Sequence, residues 1–265
     1  MKQSITAIAL SAMMIAACTG NKPQDTAFST ETLAYAQKSA TADVTIKADY
    51  PTGGNATLTN TICEYISEQL GGTYTGNNTA GDSVVAYYGQ QQTARMEEAA
   101  KALAGSAVAS TYFSQEIKVL AETETYVTYT DYTETFLGGA HGMSSLTGTT
   151  FRKSDGRRFG REMLRSTDTE AFRLLLKEGL ESYFAKNDTA NFGDEELKQM
   201  LLPNNSIDYL PLPQAAPYLT EGGMVFTYQP YEIAPYSAGR PTFTVGYDKL
   251  KPFLTETVSK LIGNR

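Results

Sequence analysis

The sequence predicts an α+β fold: two packed modules, mainly antiparallel in their sheets, with flanking amphipathic helices. Three observations lead there. Segments with strand period and segments with helix period are mixed along the chain without the regular alternation that builds a parallel βαβ sheet. The stretch 114–160 is dense in Thr, Tyr, Val and Phe, residues at home on a pleated surface, and is punctuated by Gly-rich turns. Two long segments, 58–70 and 169–186, instead place apolar residues three and four apart.

In chain order, residues 19–41 are rich in Asn, Lys, Pro, Gln, Thr, Ser and Ala with little periodicity, and read as a tether, with module structure expected from residue 43. Val44, Ile46, Ala48 and Tyr50 alternate as in a strand. Gly53-Gly54-Asn55 is a turn signal. Ile62, Cys63, Ile66 and Leu70 then mark one face of a helix over 58–70. Residues 71–81 form a polar loop, and Met96, Ala100 and Leu103 indicate a second helix over about 93–104. Ile117, Val119 and Ala121 alternate in a strand over 114–122, and 124–137 makes the next. Gly138-Gly139-Ala140-His141-Gly142 separates it from a strand over 144–152. Ser154-Asp155-Gly156-Arg157 closes a hairpin, because Asp-Gly suits the positive φ angles of a tight connection. Three antiparallel strands are therefore expected between 114 and 160.

The last third starts with a helix over 169–186, carried by Phe172, Leu175, Leu176, Leu180, Tyr183 and Phe184 and capped by Thr167 or Asp168. Asp194 caps a short helix bearing Leu197, Met200 and Leu201. A proline-punctuated connection covers 203–217. Strands over 224–228 and 242–247 flank Pro230-Tyr231-Glu232-Ile233-Ala234-Pro235-Tyr236. A final amphipathic helix begins at Asp248 with Pro252 in its first turn, where a missing N–H does little harm. The expected division is a first module over 43–140 and a second over 141–262.

The start of the chain speaks to location. Lys2 precedes a short apolar stretch, too short to span a bilayer, that ends in Ile15-Ala16-Ala17-Cys18. This resembles a bacterial lipobox, which implies removal of residues 1–17, acylation of Cys18 and a soluble body held at a membrane on the outer side of the cytoplasm. No later run is long and apolar enough to cross a membrane. Lipidation of Cys18 leaves Cys63 as the one remaining cysteine of two, so no internal disulfide forms, and its place on the apolar helix face makes it a buried structural thiol. The formal charge is −7. That argues against nucleic acid as a partner and is compatible with solubility alone or with steering of a cationic partner.

Sites of chemistry are sparse. The single histidine, His141, lies among glycines, a setting compatible with a structural turn or with a ligand contact; catalysis would require a serine aligned to it, and no Gly-x-Ser-x-Gly elbow is present. One His without Cys does not make a usual zinc set, so neither metal nor cofactor is expected. Asp131 and Glu134 fall on opposite faces of their strand and do not form a glycosidase pair. Pro230 and Pro235 stiffen a segment bearing Tyr231, Glu232 and Tyr236. Such a loop either binds a ligand at low ordering cost or crosses between strands in the core. Glu232 either meets a ligand hydroxyl or pairs internally with Arg240.

Taken together, the Gly138–Gly142 segment, the Met224-Val225-Phe226-Thr227-Tyr228 strand, the Pro230–Gly239 stretch and the Tyr247-Asp248-Lys249-Leu250 junction resemble paired bacterial extracytoplasmic modules, DUF4163 followed by DUF3298, over about 43–262. The resemblance extends to the extracellular part of lysozyme-sensing anti-sigma factors of the RsiV type and to the region preceding the catalytic domain of PdaC-type deacetylases. It implies a binding or sensing lipoprotein of the cell envelope, with a lysozyme-like protein or a cell-wall glycan as partner. A cell-wall hydrolase and a structural envelope protein are the alternatives. Deacetylase chemistry is not carried over, because one histidine does not supply the several His and Asp ligands it needs. The binding residues so implied are Tyr231, Glu232, Tyr236 and His141.

Overall fold

The computed structural model describes residues 27–103, 110–185 and 192–263, so the signal-like stretch and Cys18 lie outside the described residues. The fold is α+β. A six-stranded sheet in the order β1-β2-β3-β4-β5-β6 comprises β1 (Ser29–Lys38), β2 (Ala42–Gly53), β3 (Thr111–Glu122), β4 (Tyr126–Phe136), β5 (Met143–Arg152) and β6 (Arg158–Phe159). Only β2 and β3 run parallel; every other neighbour pair is antiparallel. The parallel pair requires a crossover, supplied by α1 (Ala56–Leu70) and α2 (Gly81–Ala102). A three-stranded antiparallel sheet holds β7 (Tyr218–Thr220), β8 (Gly223–Thr227) and β9 (Thr242–Gly246). Helices α3 (Glu170–Ala185), α4 (Asp194–Met200), α5 (Tyr247–Leu250) and α6 (Glu256–Ile262) surround it.

Strand period divides these elements between two cores. On β4, Val127 and Tyr129 point to α1 and α2 and join Ile46, Ile62, Tyr88, Ile117 and Phe151. Tyr126 points the other way and joins Phe172, Leu219, Phe226, Leu250 and Val258. The six-stranded sheet is thus buried from both sides over β4 and β5. Tyr126 ties the halves together by donating to the Thr220 carbonyl at 2.8 Å. Strand β5 pairs with β4, and β6 with β5, in this sheet although both follow residue 140. Cys63 is buried, and burial pushes its thiol up to about 11, consistent with an unreactive structural role.

Four local expectations are corrected. Part of the segment read as a tether is strand β1, an edge strand whose one inward row includes Leu33 and Tyr35. Helix α2 begins at Gly81, well before 93; Gly89 in its first half leaves room for the Tyr35 ring, which a Cβ there would meet at 2.3 Å. The caps differ by a residue or more: the Phe172 amide donates to the Thr169 hydroxyl, and Asp194 is already inside α4, where Glu196 accepts from the Gly193 amide. The final helix is two helices. After a 3-10 turn through Pro252, Leu254 adopts extended backbone and bridges to Leu164, and α6 starts afresh at Glu256.

Candidate functional site

One end of the six-stranded sheet carries an exposed aromatic shelf, and β-sheet register builds its floor. Tyr112 on β3 lies opposite Phe136 on β4, and the two rings stack at 5.8 Å. Two and four residues back along β4, Glu134 and Tyr132 share that face. Across the β4–β5 ladder Glu134 faces Ser144, and Tyr132 faces Leu146. The Glu134 carboxylate accepts from the Tyr112 hydroxyl at 3.0 Å and from the Tyr132 hydroxyl at 3.4 Å. Its neighbourhood raises the Tyr112 hydroxyl above the usual phenol range, through burial first and Glu134 second.

The hairpin tip between β4 and β5 supplies the next part. Gly138 and Gly139 hold φ angles of +95° and +98°, which only glycine adopts without strain. Gly142 lies so close to the floor that a Cβ would meet the Tyr112 hydroxyl at 2.8 Å. Both ring neighbours of His141 converge on this tip. The Gly142 carbonyl accepts from His141 Nδ1 at 2.9 Å and from the Tyr236 hydroxyl at 2.8 Å. With the proton on Nδ1, neutral His141 accepts from the Tyr231 hydroxyl through Nε2, at 3.1 Å. The imidazole stacks on the Tyr236 ring with centroids 3.7 Å apart and planes 16° apart. Tyr231 and Tyr236 lie 5.6 Å apart at 34°.

The loop between β8 and β9 presents these tyrosines, and its backbone is pinned along its length. Tyr228 N donates to the Pro241 carbonyl across its neck. Ile233 and Ala234 are buried anchors, and the Ile233 carbonyl accepts from Leu202 N and Asn205 Nδ2. Tyr183 donates to the Ala238 carbonyl at 2.9 Å. Gln229 brackets β5 by accepting from Leu146 N and donating to Leu146 O. Tyr231 is 49% exposed and sits at φ +67°, a left-handed backbone rare for an aromatic residue. The loop is therefore both surface and crossing: Ile233 is core, whereas Tyr231 is displayed.

Three of the four residues expected to bind are thus brought together: His141, Tyr231 and Tyr236. Glu232 is not. Its Oε1 accepts from Gln214 N at 2.5 Å and its Oε2 from Gln229 N at 2.7 Å, so it staples the loop to the preceding connection. Nor does it pair with Arg240, whose guanidinium stands over the Tyr132 ring at 5.0 Å and donates from Nη2 to Ser144 Oγ at 2.6 Å. Sequence reasoning overlooked Tyr112 and Arg240 as members of this surface, because strand register carries Tyr112 there and the folded β8–β9 loop brings Arg240 onto the same face. Asp131 faces away from Glu134, toward α1, where Gln115 Nε2 donates to both of its oxygens and to the Gln69 carbonyl.

Ser144 Oγ engages Arg240 rather than His141. Among the described residues, no three His, Cys, Asp or Glu side chains are grouped to hold a metal ion. No described helix is long and apolar enough to cross a membrane.

Comparison with known proteins is consistent with this architecture. The family described as "Protein of unknown function (DUF3298)" matches residues 174–248, which include the tyrosine-bearing loop. Crystal structures of two DUF3298 family proteins share the fold. The one from Bacteroides fragilis has 18% sequence identity and a TM-score of 0.71, and the one from Pseudomonas aeruginosa has 20% identity and a TM-score of 0.61. Each superposition covers 91% of this chain and 99% of the other. No curated protein matches the chain.

Proposed function

We propose that this DUF3298-containing protein is a non-catalytic binding module, anchored outside the cytoplasm by lipid on Cys18, that holds its ligand on the His141–Tyr231–Tyr236 shelf. The carrying observation is a pinned loop that displays an aromatic side chain in a left-handed backbone conformation, hydrogen-bonded to the one histidine of the chain. Strain of this kind, held by surrounding structure, is characteristic of functional loops. Tyr is suited to contact surfaces because it offers large area with little conformational entropy to lose. Four clefts elsewhere on the molecule, the largest of them about 610 Å³, are lined by other residues, and the shelf itself presents exposed His141 and Tyr231 as an open platform. A platform suits a macromolecule. The resemblance of the first module to DUF4163 and of the whole to lysozyme-sensing proteins supplies the two ligands to test: lysozyme and cell-wall glycan.

Calorimetry of the mature protein against each ligand tests the reading. Tyr231→Ala and Tyr236→Ala are each expected to weaken binding by about 1–3 kcal/mol while the protein stays folded. Undiminished binding by both folded variants would place the site elsewhere. The anchor has its own test. Mass spectrometry of the mature N-terminus is expected to find a peptide starting at acylated Cys18; an unmodified start at another residue would contradict the anchor.

A further inference from the structure

Arg240 is the one strong charge on the shelf left without a counter-ion. The chain carries 29 acidic and 22 basic residues, yet among the described residues Arg240 forms no ion pair. Other partly buried cations do: Lys153 bonds Glu122, Arg158 bonds Glu68 and Lys177 bonds Asp194, whereas Arg173 bonds the Asp168 carbonyl and stands over the Tyr209 ring. Glu134, on the same strand face as Tyr132, is occupied by two tyrosine hydroxyls instead. Among the described residues, Arg240 Nε is buried without a hydrogen-bond partner, and the side-chain bond of the guanidinium is to Ser144. A guanidinium offers five N–H donors in a planar fork. Stacking on Tyr132 and the bond to Ser144 fix that fork in place, so little freedom remains to be lost when an acceptor arrives.

Charge and shape together define that acceptor. A carboxylate matches the fork through two parallel N–H···O bonds. Tyr132 lies beneath the guanidinium, Glu134 and Tyr112 neighbour Tyr132 on the sheet face, and the adjoining hairpin tip holds the His141, Tyr231 and Tyr236 cluster. Ring faces suit the C–H faces of sugars, and the hydroxyls and Glu134 suit sugar hydroxyls. We propose that the ligand is a polysaccharide bearing carboxylates, that Arg240 receives one carboxylate, and that neighbouring sugar rings lie along His141 and Tyr231. This rests on the reading of the shelf as the binding surface.

The test pairs each acidic probe with a neutral twin. Peptide-free peptidoglycan strands, whose lactyl carboxylates are free, are compared with the same strands after carboxyl reduction. Oligogalacturonate is compared with its methyl ester. With the mature protein in a calorimeter, at least one acidic probe is expected to bind about tenfold or more tightly than its twin, the scale of one charge-assisted contact. Arg240→Gln should erase that difference, while Arg240→Lys should keep part of it; circular dichroism confirms that both are folded. Equal affinity for acid and twin would overturn the proposal. So would discrimination surviving in Arg240→Gln, or failure of every carbohydrate probe, including a case where lysozyme binds instead. Affinity lost in Tyr231→Ala and Tyr236→Ala without acid–neutral discrimination overturns only the carboxylate assignment. Discrimination by Arg240 with full affinity in both Tyr variants overturns the shelf reading.

Discussion

Gly148→Ala is expected to destabilise the protein by about 3 kcal/mol, the upper part of the usual range for overpacking a filled core. Gly148 lies on β5 opposite Thr130, on the face that receives β7. The Tyr218 ring of β7 rests on it: an added Cβ would lie 2.2 Å from Cδ1 and 2.4 Å from Cγ of that ring. Tyr218 is itself buried at 3% exposure and has no room to swing aside. The same contact area holds the Leu219 amide to Thr150 Oγ1 at 2.9 Å, and Thr150 to Thr128 at 2.8 Å. Lifting β7 would therefore loosen buried polar pairs as well as packing. Thermal unfolding should report a loss of roughly 6–12 °C. In Gly148→Ala/Tyr218→Ala the two effects should fall well short of additive, because one ring is the cause of both. Wild-type stability in Gly148→Ala would contradict the interlock between the two cores.

Asp131→Asn is expected to act in the opposite direction, and only above acidic pH. Asp131 is 8% exposed and accepts only from neutral groups, Gln115 and Thr133. Burial pushes its carboxyl up to about 6, against an unfolded value near 3.9. The native state therefore holds this proton more tightly than the unfolded chain. Below pH about 4 the group is protonated in both states and costs nothing. Between about pH 4 and 6 the unfolded chain releases the proton first, so stability falls as pH rises, and above pH 6 the whole deficit of about 3 kcal/mol remains. Asn keeps the acceptor for Gln115 without the charge. Urea unfolding should find the variant more stable at pH 7, by about 1–3 kcal/mol, with the advantage closing toward pH 4. A variant no more stable at pH 7, with the wild-type pH slope, would refute this assignment.

Most of the fold was legible because it is written in periods. The alternating rows of β2 to β5, the Gly-rich tips and the amphipathic α1 and α3 all follow residue spacing. What was hidden depends on a neighbour. Strand β1 has few inward apolar residues, and its pairing with β2 rather than its own composition makes it a strand. Strand β7 is three residues long, too short to show a period. The early half of α2 contains Gly81 and Gly89, poor helix formers that are there to admit Leu33, Tyr50 and Tyr35 from the sheet. Pro252 was tolerable inside one helix, but the chain instead uses the break to send Leu254 back to Leu164.

The site divides along the same line. The prolines and tyrosines of the β8–β9 loop and the glycines around His141 could be singled out within their own segments. Their meeting could not be derived from spacing, since it spans two sheets. Glu232 shows the limit most clearly. A carboxylate between aromatics suggested a ligand or an arginine, yet it meets the Gln229 amide of its own loop and the Gln214 amide that only the folded connection before β7 delivers. Arg240 was visible only as a possible counter-ion, and its freedom from any carboxylate among the described residues emerges only once Glu134 is seen held by two tyrosines.

The central claim is that ligand sits on the aromatic shelf, and the protein carries one built-in reporter for it. His141 is the only histidine, so its ring-proton resonances are unambiguous. Its imidazole is exposed, stacked on Tyr236 and bonded to Tyr231. A nuclear magnetic resonance titration with the peptide-free glycan strands, run beside calorimetry on the same samples, is the direct measurement. The His141 ring signals should move saturably, with the dissociation constant that calorimetry gives. Saturable heat of binding with those signals unmoved would contradict the account.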